Sequence, residues 1–539
     1  MPSAATSTSA VHVPDPQTTA LTVNRVMKSV AAQYPDKPAI IDPDRRITYR
    51  DLDASTRELA AGFIEAGVGK GSRVGLIMPN SARWVQIALS LTRIGAVLVP
   101  LSTLLSPREL VTQCDVASIE YLVSVREFRG HRYLHDLQAS LDTGDLTDQI
   151  LYHPALPSLR RVWADDGLPR AAEPSTLAQM VDALAETVHP DDPLVIIFTS
   201  GSSGIPKGVL HSHAGALGAV VSGLADRCIT ADTRLYVPMP FFWVGGLGSG
   251  VLSTLLAGAT LVTEQVPRPQ ATLHLLERER VTLFRGWPDQ AEALARHQQT
   301  VGADLSSLVV GSLDALLPPD QRAAPGARAR LFGMTETFGP YCGYPADTDM
   351  PRSAWGSCGR PFAGMEVRIM SEHGPAPTGS PGEIQVRGPH TLRGICRRGR
   401  DDTFTPDGFY PTGDLGHLDD NGFLFYHGRS DDMFKVSGAS VYPSEVEKAL
   451  RGIAGIEAAY VTDVRVDGAQ QVGAAIVCDT STTSVEELRT AAAATLSSFK
   501  VPTVWLLVDS DDDIPRGGTG KVPAPALREL LCTTAGGGN

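Results

Sequence analysis

The segment LVIIFTSGSSGIPKG, residues 194–208, joins an apolar run to a loop rich in glycine, serine and threonine. The apolar run from Leu194 to Phe198 predicts a buried strand. Glycine lets backbone N–H groups approach an anion closely, hydroxyl groups add hydrogen-bond donors, and a lysine at the end supplies a positive charge. The segment is not a Walker loop, because Pro206 stands where that motif requires its second glycine. It predicts a phosphate-binding loop of another kind, with the candidate residues Thr199, Ser200, Gly201, Ser202, Ser203, Gly204 and Lys207.

The chain before this segment alternates between helix-like and strand-like patterns. The patterns predict, in turn, a helix, a strand, a helix and a strand over residues 52–66, 73–78, 84–94 and 95–101. Such alternation is typical of α/β layers with parallel strands. The stretch 151–193 is rich in proline and aspartate and has weak periodicity, so we expect a surface excursion there.

The pattern changes after roughly residue 370, where short strands between glycines at 382–388 and 422–428 predict a small β-rich subdomain. The run GRSDD at 428–432 marks a boundary, and a helix is predicted from Pro443 to Arg451. The predicted fold class is α/β. We expect a disordered tail at 1–18, a large N-terminal domain of layered α/β subdomains plus the β-rich subdomain at 19–430, and a small mobile α+β C-terminal domain at 431–539.

Composition narrows the class of protein. The chain has 539 residues, 20% charged residues and a net charge of -13, without a long run of lysine and arginine. Nucleic acid is therefore a poor partner, and no apolar run reaches the roughly 20 residues that a membrane helix needs. The seven cysteines form no CxxC pair, which favours a reducing, cytoplasmic location. His211 and His213 are close in sequence but have no third ligand nearby, so a metal site is not predicted there.

Further segments carry polar side chains suited to a nucleotide. The motif FGMTE, residues 332–336, offers an aromatic ring to stack on a base and a carboxylate, Glu336, to bind Mg²⁺. The motif YPTGD ends at Asp414, whose carboxylate can accept hydrogen bonds from ribose hydroxyls, and Arg429 adds a second ribose or phosphate ligand. The motif PRGGTGK ends at Lys521, which places a positive charge on a glycine-rich tip.

Taken in order, these segments resemble the adenylate-forming superfamily of acyl-CoA synthetases, peptide-synthetase adenylation domains and beetle luciferases. The resemblance extends from about Ile47 to Lys521. It implies ATP and Mg²⁺ as cofactors, with Glu336 and Thr199 as magnesium ligands and Lys521, Thr335 and Glu336 as catalytic residues. It also implies a hinge at Asp431 and a face for the thiol step made by Lys435, Ser437 and Gly438. The implied nucleotide contacts beyond the phosphate loop are Gly311, Ser312, Phe332, Gly333, Met334, Asp414 and Arg429.

The same resemblance implies an apolar acyl pocket. Trp243 stands where many acyl-CoA synthetases have histidine, and the sequence GSLD at 311–314 replaces the usual GGAP. Two indoles with glycines between them favour a bulky aromatic or alicyclic monocarboxylic acid, with a medium-chain fatty acid second. Amino acids are disfavoured, because no aspartate stands where an α-amino group would bind. The implied lining residues are Trp243, Val244, Gly245, Trp287, Leu331, Gly333, Phe338 and Gly339.

The implied reaction is that of a two-step ligase. A carboxylate attacks the α-phosphate of MgATP to form acyl-AMP and pyrophosphate, and a thiol then takes the acyl group. Coenzyme A is the favoured thiol, which predicts an acyl-CoA synthetase. The main alternative is a stand-alone ligase that loads a carrier protein or passes acyl-AMP to a partner. A luciferase-like oxygenase would emit light with oxygen, and a non-catalytic nucleotide-binding protein would release no pyrophosphate.

Overall fold

The computed structural model describes residues 21–147, 150–199, 206–430, 434–436, 439–466, 469–496, 500–517 and 520–535. The chain forms two compact units. The first comprises Met1–Glu366 with Arg387–Gly408, and the second comprises Val367–Val386 with Phe409–Asn539. The tail expected at 1–18 and the hinge expected at Asp431 lie outside the described residues. The domain boundary expected between 430 and 431 stays a prediction.

Serine and threonine caps begin several of the helices. Thr48, Ser81 and Ser212 each accept a hydrogen bond from a backbone N–H of the first helical turn, which satisfies a donor that has no partner inside the helix. The α-helices, in chain order, are α1 (Val23–Gln33), α2 (Tyr49–Glu65), α3 (Ala82–Arg93), α4 (Pro107–Val116), α5 (Tyr133–Leu141), α6 (Pro174–Thr187), α7 (His213–Ser222), α8 (Val244–Gly246), α9 (Ser253–Ala257), α10 (Pro269–Arg278), α11 (Pro288–Val301), α12 (Pro443–Arg451), α13 (Val485–Ala493) and α14 (Ala524–Ala535).

The strands are mostly short. In chain order they are β1 (Pro38–Ile41), β2 (Arg46–Thr48), β3 (Arg73–Ile77), β4 (Val97–Pro100), β5 (Tyr121–Ser124), β6 (Arg161–Ala164), β7 (Pro193–Thr199), β8 (Lys207–Ser212), β9 (Arg234–Tyr236), β10 (Thr260–Val262), β11 (Leu283–Phe284), β12 (Phe332–Met334), β13 (Gly339–Gly343), β14 (Arg360–Pro361), β15 (Glu366–Ser371), β16 (Gly374–Pro375), β17 (Gly382–Arg387), β18 (Gly394–Ile395), β19 (Tyr410–Leu418), β20 (Leu424–Arg429), β21 (Phe434–Val436), β22 (Ala439–Val441), β23 (Ile456–Val466), β24 (Ala469–Cys478) and β25 (Val504–Val508).

The main sheet of the first unit has the strand order β18-β8-β7-β4-β3-β5-β6. Strands β7, β4, β3, β5 and β6 pair in parallel, whereas β8 pairs antiparallel with β7 because the two strands are joined by a short loop. The helices and strands predicted from 52 to 101 are present as α2, β3, α3 and β4, and the predicted buried strand is β7. The α/β alternation in the sequence is therefore confirmed.

A second sheet of the same unit has the order β11-β9-β10-β1-β2, in which β11, β9, β10 and β1 are parallel. The core beside it includes the fully buried Trp84, whose ring meets Phe241 edge-on with the ring centroids 5.3 Å apart. This packing fixes the chain just before Trp243. The contact of Trp84 with Phe241 thus supports the segment that carries the candidate acyl pocket.

The expectation of a surface excursion at 151–193 is wrong for part of that stretch. Strand β6 adds to the edge of the main sheet by pairing in parallel with β5, and α6 follows it. Leu177, Val181 and Leu184 are spaced three or four residues apart on α6 and pack into the core, with Val181 fully buried. The helical periodicity is weak because the apolar face is only one residue wide on each turn.

The second unit contains β-sheets with a few helices. One sheet has the order β16-β15-β17-β19-β20, and another has the order β23-β24-β25 with α12 packed against β23. Strands β17 and β20 confirm the strands predicted at 382–388 and 422–428, and α12 has the predicted bounds. Among the described residues, no helix is both long and apolar enough to cross a membrane.

Candidate active site

The ends of the predicted phosphate loop are held by the β7–β8 pair. Thr199 is the register partner of Lys207, and Phe198 is the partner of Gly208. Side chains directly opposite each other on antiparallel strands point to the same face of the sheet. The Thr199 hydroxyl and the Lys207 ammonium group therefore emerge on one face, where the loop begins and ends. The loop residues Ser200, Gly201, Ser202, Ser203 and Gly204 lie outside the described residues.

His211 continues this face of β8, because it is four residues after Lys207 and side chains alternate along a strand. Its ring is fully buried, and its Nε2 atom lies 2.7 Å from the carbonyl oxygen of Thr335. Burial lowers the pKa of His211 to about 4, so the ring is neutral at physiological pH and its Nε2–H donates to that carbonyl. The predicted FGMTE motif is thus tied to the same face as Thr199 and Lys207.

The FGMTE motif itself is a strand followed by a tight turn. Strand β12 leads into a 3₁₀ turn, Thr335–Thr337, which carries the buried Glu336. Gly333 is required here, because a Cβ atom at this position would lie 2.0 Å from the carbonyl oxygen of Gly339. The N–H of Leu392 donates to the carbonyl oxygen of Glu336 over 2.8 Å. The turn is therefore held by two hydrogen bonds, one to the carbonyl oxygen of Thr335 and one to that of Glu336.

The other predicted adenine contacts are positioned by local packing. The Phe332 ring meets Tyr341 edge-on at 5.6 Å between centroids, and Met334 donates its N–H to the Thr337 hydroxyl. Gly311 has a φ of +102°, a conformation that favours glycine. The Ser312 hydroxyl accepts a hydrogen bond of 3.2 Å from the N–H of Phe284, so it fastens this segment to the end of β11.

Contacts within the first unit position several of the predicted acyl-pocket residues. The rings of Trp243 and Trp287 meet edge-on, with centroids 5.7 Å apart. The buried Phe338 packs its ring edge-on against His211 at 5.1 Å. Val244 lies 3.9 Å from the position that a Cβ on Gly339 would take.

The remaining pocket residues are placed by other contacts. Gly245 faces the sulfur of Met239, which is 3.0 Å from the position of a Cβ. Leu331 lies against Gly343 of β13, where a Cβ would be 2.8 Å from its Cδ2 atom. A π-helix, Leu247–Leu252, follows α8 directly, a local irregularity that is frequent at functional sites.

Sequence reasoning missed two arginines that lie beside these groups. Arg227 follows α7, and Arg285 follows β11 two residues before Trp287. The Nη1 atom of Arg227 donates to the Ser249 hydroxyl in the π-helix over 3.3 Å. Neither arginine belongs to a motif, and they are far apart in sequence. The available signal was a single charged residue at the end of an apolar strand, VTLFR at 281–285.

In the second unit, the structure brings Asp414 and Arg429 together. They are register partners on β19 and β20, and Nη1 of Arg429 lies 3.3 Å from Oδ1 of Asp414. The same Nη1 donates to the carbonyl oxygen of Thr412 over 2.8 Å. Gly413 has a φ of +70°, and a Cβ there would lie 2.8 Å from the guanidinium group. The pair is therefore a prearranged carboxylate and guanidinium, and its contact with ribose or phosphate stays a prediction.

The loop that carries Lys521 is fastened at its base. Nη1 of Arg516 donates to the carbonyl oxygen of Gly520 over 2.9 Å, and Nη2 donates to the Tyr460 hydroxyl over 3.1 Å. Arg516 also forms an ion pair with Asp511, to which the Tyr460 hydroxyl donates over 2.6 Å. Lys521 itself is exposed. Arg516 is thus a further residue that sequence reasoning missed, and it shapes the base of the tip.

The remaining predicted site residues belong to the hinge and to the face for the thiol step. Asp431, Ser437 and Gly438 lie outside the described residues. Lys435 lies in β21, where its backbone pairs with Ser440 of β22. The hinge and thiol-step roles implied for these residues stay predictions.

The donor set of the first unit fits magnesium bound to a nucleotide. Mg²⁺ prefers oxygen ligands and usually combines one or two carboxylates with phosphate oxygens and water. Glu336 and Thr199 supply oxygens of this kind. Within the described ranges, no group of three or more histidine, cysteine, aspartate or glutamate side chains is arranged to hold a metal.

The chain is similar to known enzymes in both sequence and fold. A family model described as AMP-binding enzyme matches residues 27–396. A 3-[(3aS,4S,7aS)-7a-methyl-1,5-dioxo-octahydro-1H-inden-4-yl]propanoyl:CoA ligase from Mycobacterium tuberculosis is 33% identical, covering 94% of this chain and 99% of that relative. A feruloyl-CoA synthase from Amycolatopsis sp. is 31% identical, covering 91% and 95%. The crystal structure of an anthranilate CoA ligase with anthranoyl-AMP has a TM-score of 0.78 at 21% identity, covering 96% and 99%.

The two relatives and the solved structure match nearly the whole chain, and the family model includes the segments around Thr199, Lys207 and Glu336. The solved structure supports the fold, and the two relatives support the chemistry of acid activation. The chain therefore belongs to the AMP-binding enzyme family and is an AMP-forming acid–thiol ligase, which activates a carboxylic acid as acyl-AMP and transfers the acyl group to coenzyme A.

Proposed function

We propose that the acid is a bulky alicyclic or aromatic monocarboxylic acid. The observation that carries this proposal is the edge-to-face pair of Trp243 and Trp287, whose ring centroids are 5.7 Å apart. Two indoles at this angle form a broad apolar corner, which matches a ring system better than a narrow alkyl chain. The buried Phe338 and the nearby Val244 add further apolar surface.

The relatives support the same class of acid. One acts on a propanoate that carries a fused bicyclic ring with two oxo groups, and another acts on ferulate, an aromatic acid. Both acids place a ring system at some distance from the carboxyl group that is activated. We therefore rank ring acids above medium-chain fatty acids as the substrate of this chain.

In the first step, the substrate carboxylate attacks the α-phosphorus of ATP, the bond to the bridging oxygen breaks, and pyrophosphate leaves with both bonding electrons. Because two anions meet, the site must neutralise charge more than it must transfer protons. We assign Lys207 and the Thr199 hydroxyl to the phosphates that leave. Glu336 would hold Mg²⁺, which supplies charge neutralisation at the phosphate oxygens.

We also propose roles for residues of the second unit. We assign Asp414 and Arg429 to the ribose, and Lys521 to the carboxylate and the α-phosphate in the first step. In the second step, the thiol of coenzyme A attacks the acyl carbon and AMP leaves. We propose that rotation at Asp431 exchanges Lys521 for the face of Lys435, Ser437 and Gly438 between the two steps.

We also propose a reducing, cytoplasmic location. The seven cysteines are free thiols, and four of them are buried. Free buried thiols are typical of proteins from reducing compartments.

The test of the acid class is a panel of ring and straight-chain acids, with pyrophosphate release and acyl-CoA formation measured for each. We expect alicyclic and aromatic monocarboxylic acids to have the highest kcat/KM, and every productive acid to yield acyl-CoA. A clear preference for octanoate, or for any free amino acid, would refute the proposed class.

A further inference from the structure

Two arginine side chains lie in the interior of the first unit. Arg227 is 3% exposed, and its guanidinium group donates to the carbonyl oxygens of Gly223 and Val220 as well as to the Ser249 hydroxyl. Arg285 is half-buried, and its Nη2 atom donates to the carbonyl oxygen of Arg227 over 2.8 Å. Arg227 is thus engaged by the protein, and it provides a support against which the guanidinium of Arg285 lies.

The charges of this pair are not offset by an ion pair. Across the part of the chain that the structure describes, no carboxylate lies within 4.0 Å of either guanidinium group. The Nε atom of Arg285 is buried and has no hydrogen-bond partner among the described residues. An unsatisfied buried donor beside a charge without an ion pair is unfavourable, and an acceptor oxygen on a ligand would satisfy both.

Burial lowers the pKa of each arginine to about 10, and the charge of Arg285 contributes to the lowering at Arg227. Both groups therefore remain protonated at physiological pH. Asp226 is half-buried, and burial raises the pKa of its carboxyl group above the ordinary value. The charge of Arg227 opposes that rise, and the two guanidinium groups with one neighbouring carboxyl group attract an oxygen acceptor.

The two arginines are connected to both walls of the proposed acyl pocket. Arg285 precedes Trp287 by two residues on the segment that leaves β11. Arg227 contacts Ser249, which follows Gly245 by four residues and therefore lies near it on one side of the continuous helical segment 244–252. Trp243 and Trp287 contact each other, so each arginine is linked, along the chain or through Ser249, to one of the two walls that meet there.

We propose that Arg285, supported by Arg227, is a specificity-determining residue that binds a carbonyl or carboxylate oxygen on the part of the acid remote from the activated carboxyl. The planar fork of a guanidinium group suits either acceptor. The substrate class is then a ring acid with an oxygen function on the ring. This inference rests on the proposed function, because it places that oxygen in the same acyl pocket.

The test compares three matched acids: 3-cyclohexylpropanoate, 3-(4-oxocyclohexyl)propanoate and 3-(4-carboxycyclohexyl)propanoate. The wild type should favour one of the oxygenated acids over the plain acid by about 10-fold or more in kcat/KM for pyrophosphate release. The Arg285→Met variant should lose about 10–100-fold on that acid, mainly through KM, and change little on the plain acid. Arg285→Lys keeps the charge without the fork and should lose less. The matched control is Arg296→Met, which replaces an exposed arginine of α11 and should leave kcat/KM unchanged for all three acids.

Equal activity of the wild type on all three acids would overturn the inference, and so would an equal loss on plain and oxygenated acids in folded Arg285→Met. A preference for the oxo acid identifies a carbonyl and agrees with a monocarboxylic substrate. A preference for the carboxy acid identifies a carboxylate, which supports the role of Arg285 and refutes the restriction to monocarboxylic acids. Heptanoate and 6-oxoheptanoate have no ring, so this pair tests the role of Arg285 separately from the proposed function. If ring acids fail while Arg285→Met selectively impairs 6-oxoheptanoate, the ring class is refuted and the role of Arg285 stands.

Discussion

The hydrogen bond between His211 and Thr335 links strand β8 to the turn that carries Glu336, and replacing His211 by leucine should impair adenylate formation. Nε2 of the fully buried imidazole lies 2.7 Å from the carbonyl oxygen. Leucine fills a similar volume, so the main loss is the donor, which leaves a buried carbonyl without its partner. Such a loss costs about 1–3 kcal/mol. If the whole cost reaches the transition state, kcat/KM for ATP falls by roughly 5- to 150-fold.

The matched control is His211→Gln, because the amide nitrogen of glutamine takes nearly the place of Nε2 and restores a donor toward Thr335. The assay is ATP–pyrophosphate exchange with a productive acid, together with the melting temperature of each variant. We expect His211→Leu to raise the KM for ATP and to lower kcat, and His211→Gln to recover most of the activity.

Two results would refute this reasoning. If leucine and glutamine variants lose activity equally, the donor to Thr335 is not what matters. If His211→Leu lowers only the melting temperature and leaves kcat/KM unchanged, the hydrogen bond stabilises the fold without positioning the turn.

Three further predictions follow from the site and from burial. Lys521→Ala should abolish most acyl-AMP formation but still transfer an acyl group from supplied acyl-AMP to coenzyme A; normal pyrophosphate release would disprove the assigned role. Trp243→Ala removes one wall of the indole corner and should shift the preferred ring size by about 10-fold in relative kcat/KM, whereas an unchanged order of acids would reject the pocket. Burial lowers the pKa values of His211, His213 and His390 to about 4, below the ordinary 6.5. The unfolded chain therefore binds more protons between pH 6.5 and 4, and the free energy of unfolding should fall on acidification in that window by about 1.4 kcal/mol per pH unit for each histidine. Denaturant titrations of the wild type and His213→Gln test this, and an identical pH slope in both would contradict it.

Much of the local structure was readable from the sequence. The helix predicted at 52–66 is α2, and the helix predicted from Pro443 to Arg451 has the same bounds in the structure. These elements could be predicted because their apolar spacing and their start signals are local. The stretch 151–193 was misread, since β6 and α6 each bury a narrow face whose partners, β5 and α2, are distant in sequence.

The family and the type of reaction also followed from the sequence, because an ordered set of short motifs identified them and the comparisons confirmed them. Each motif is a local arrangement of backbone and side chains, such as the loop between Thr199 and Lys207, so its chemistry can be inferred without knowing the rest of the fold. The nature of the acid cannot be inferred in this way, since a pocket is made by walls from separate parts of the chain.

By itself, the sequence determined the α/β fold class and the adenylate chemistry and predicted a phosphate loop, because these depend on residue type and spacing along the chain. Only the tertiary structure decided that His211 holds Thr335, that Asp414 meets Arg429, and that Arg285 rests on Arg227. The physical reason is that these contacts join residues of different strands and loops. Their geometry depends on sheet order and register, which no local pattern of residues records.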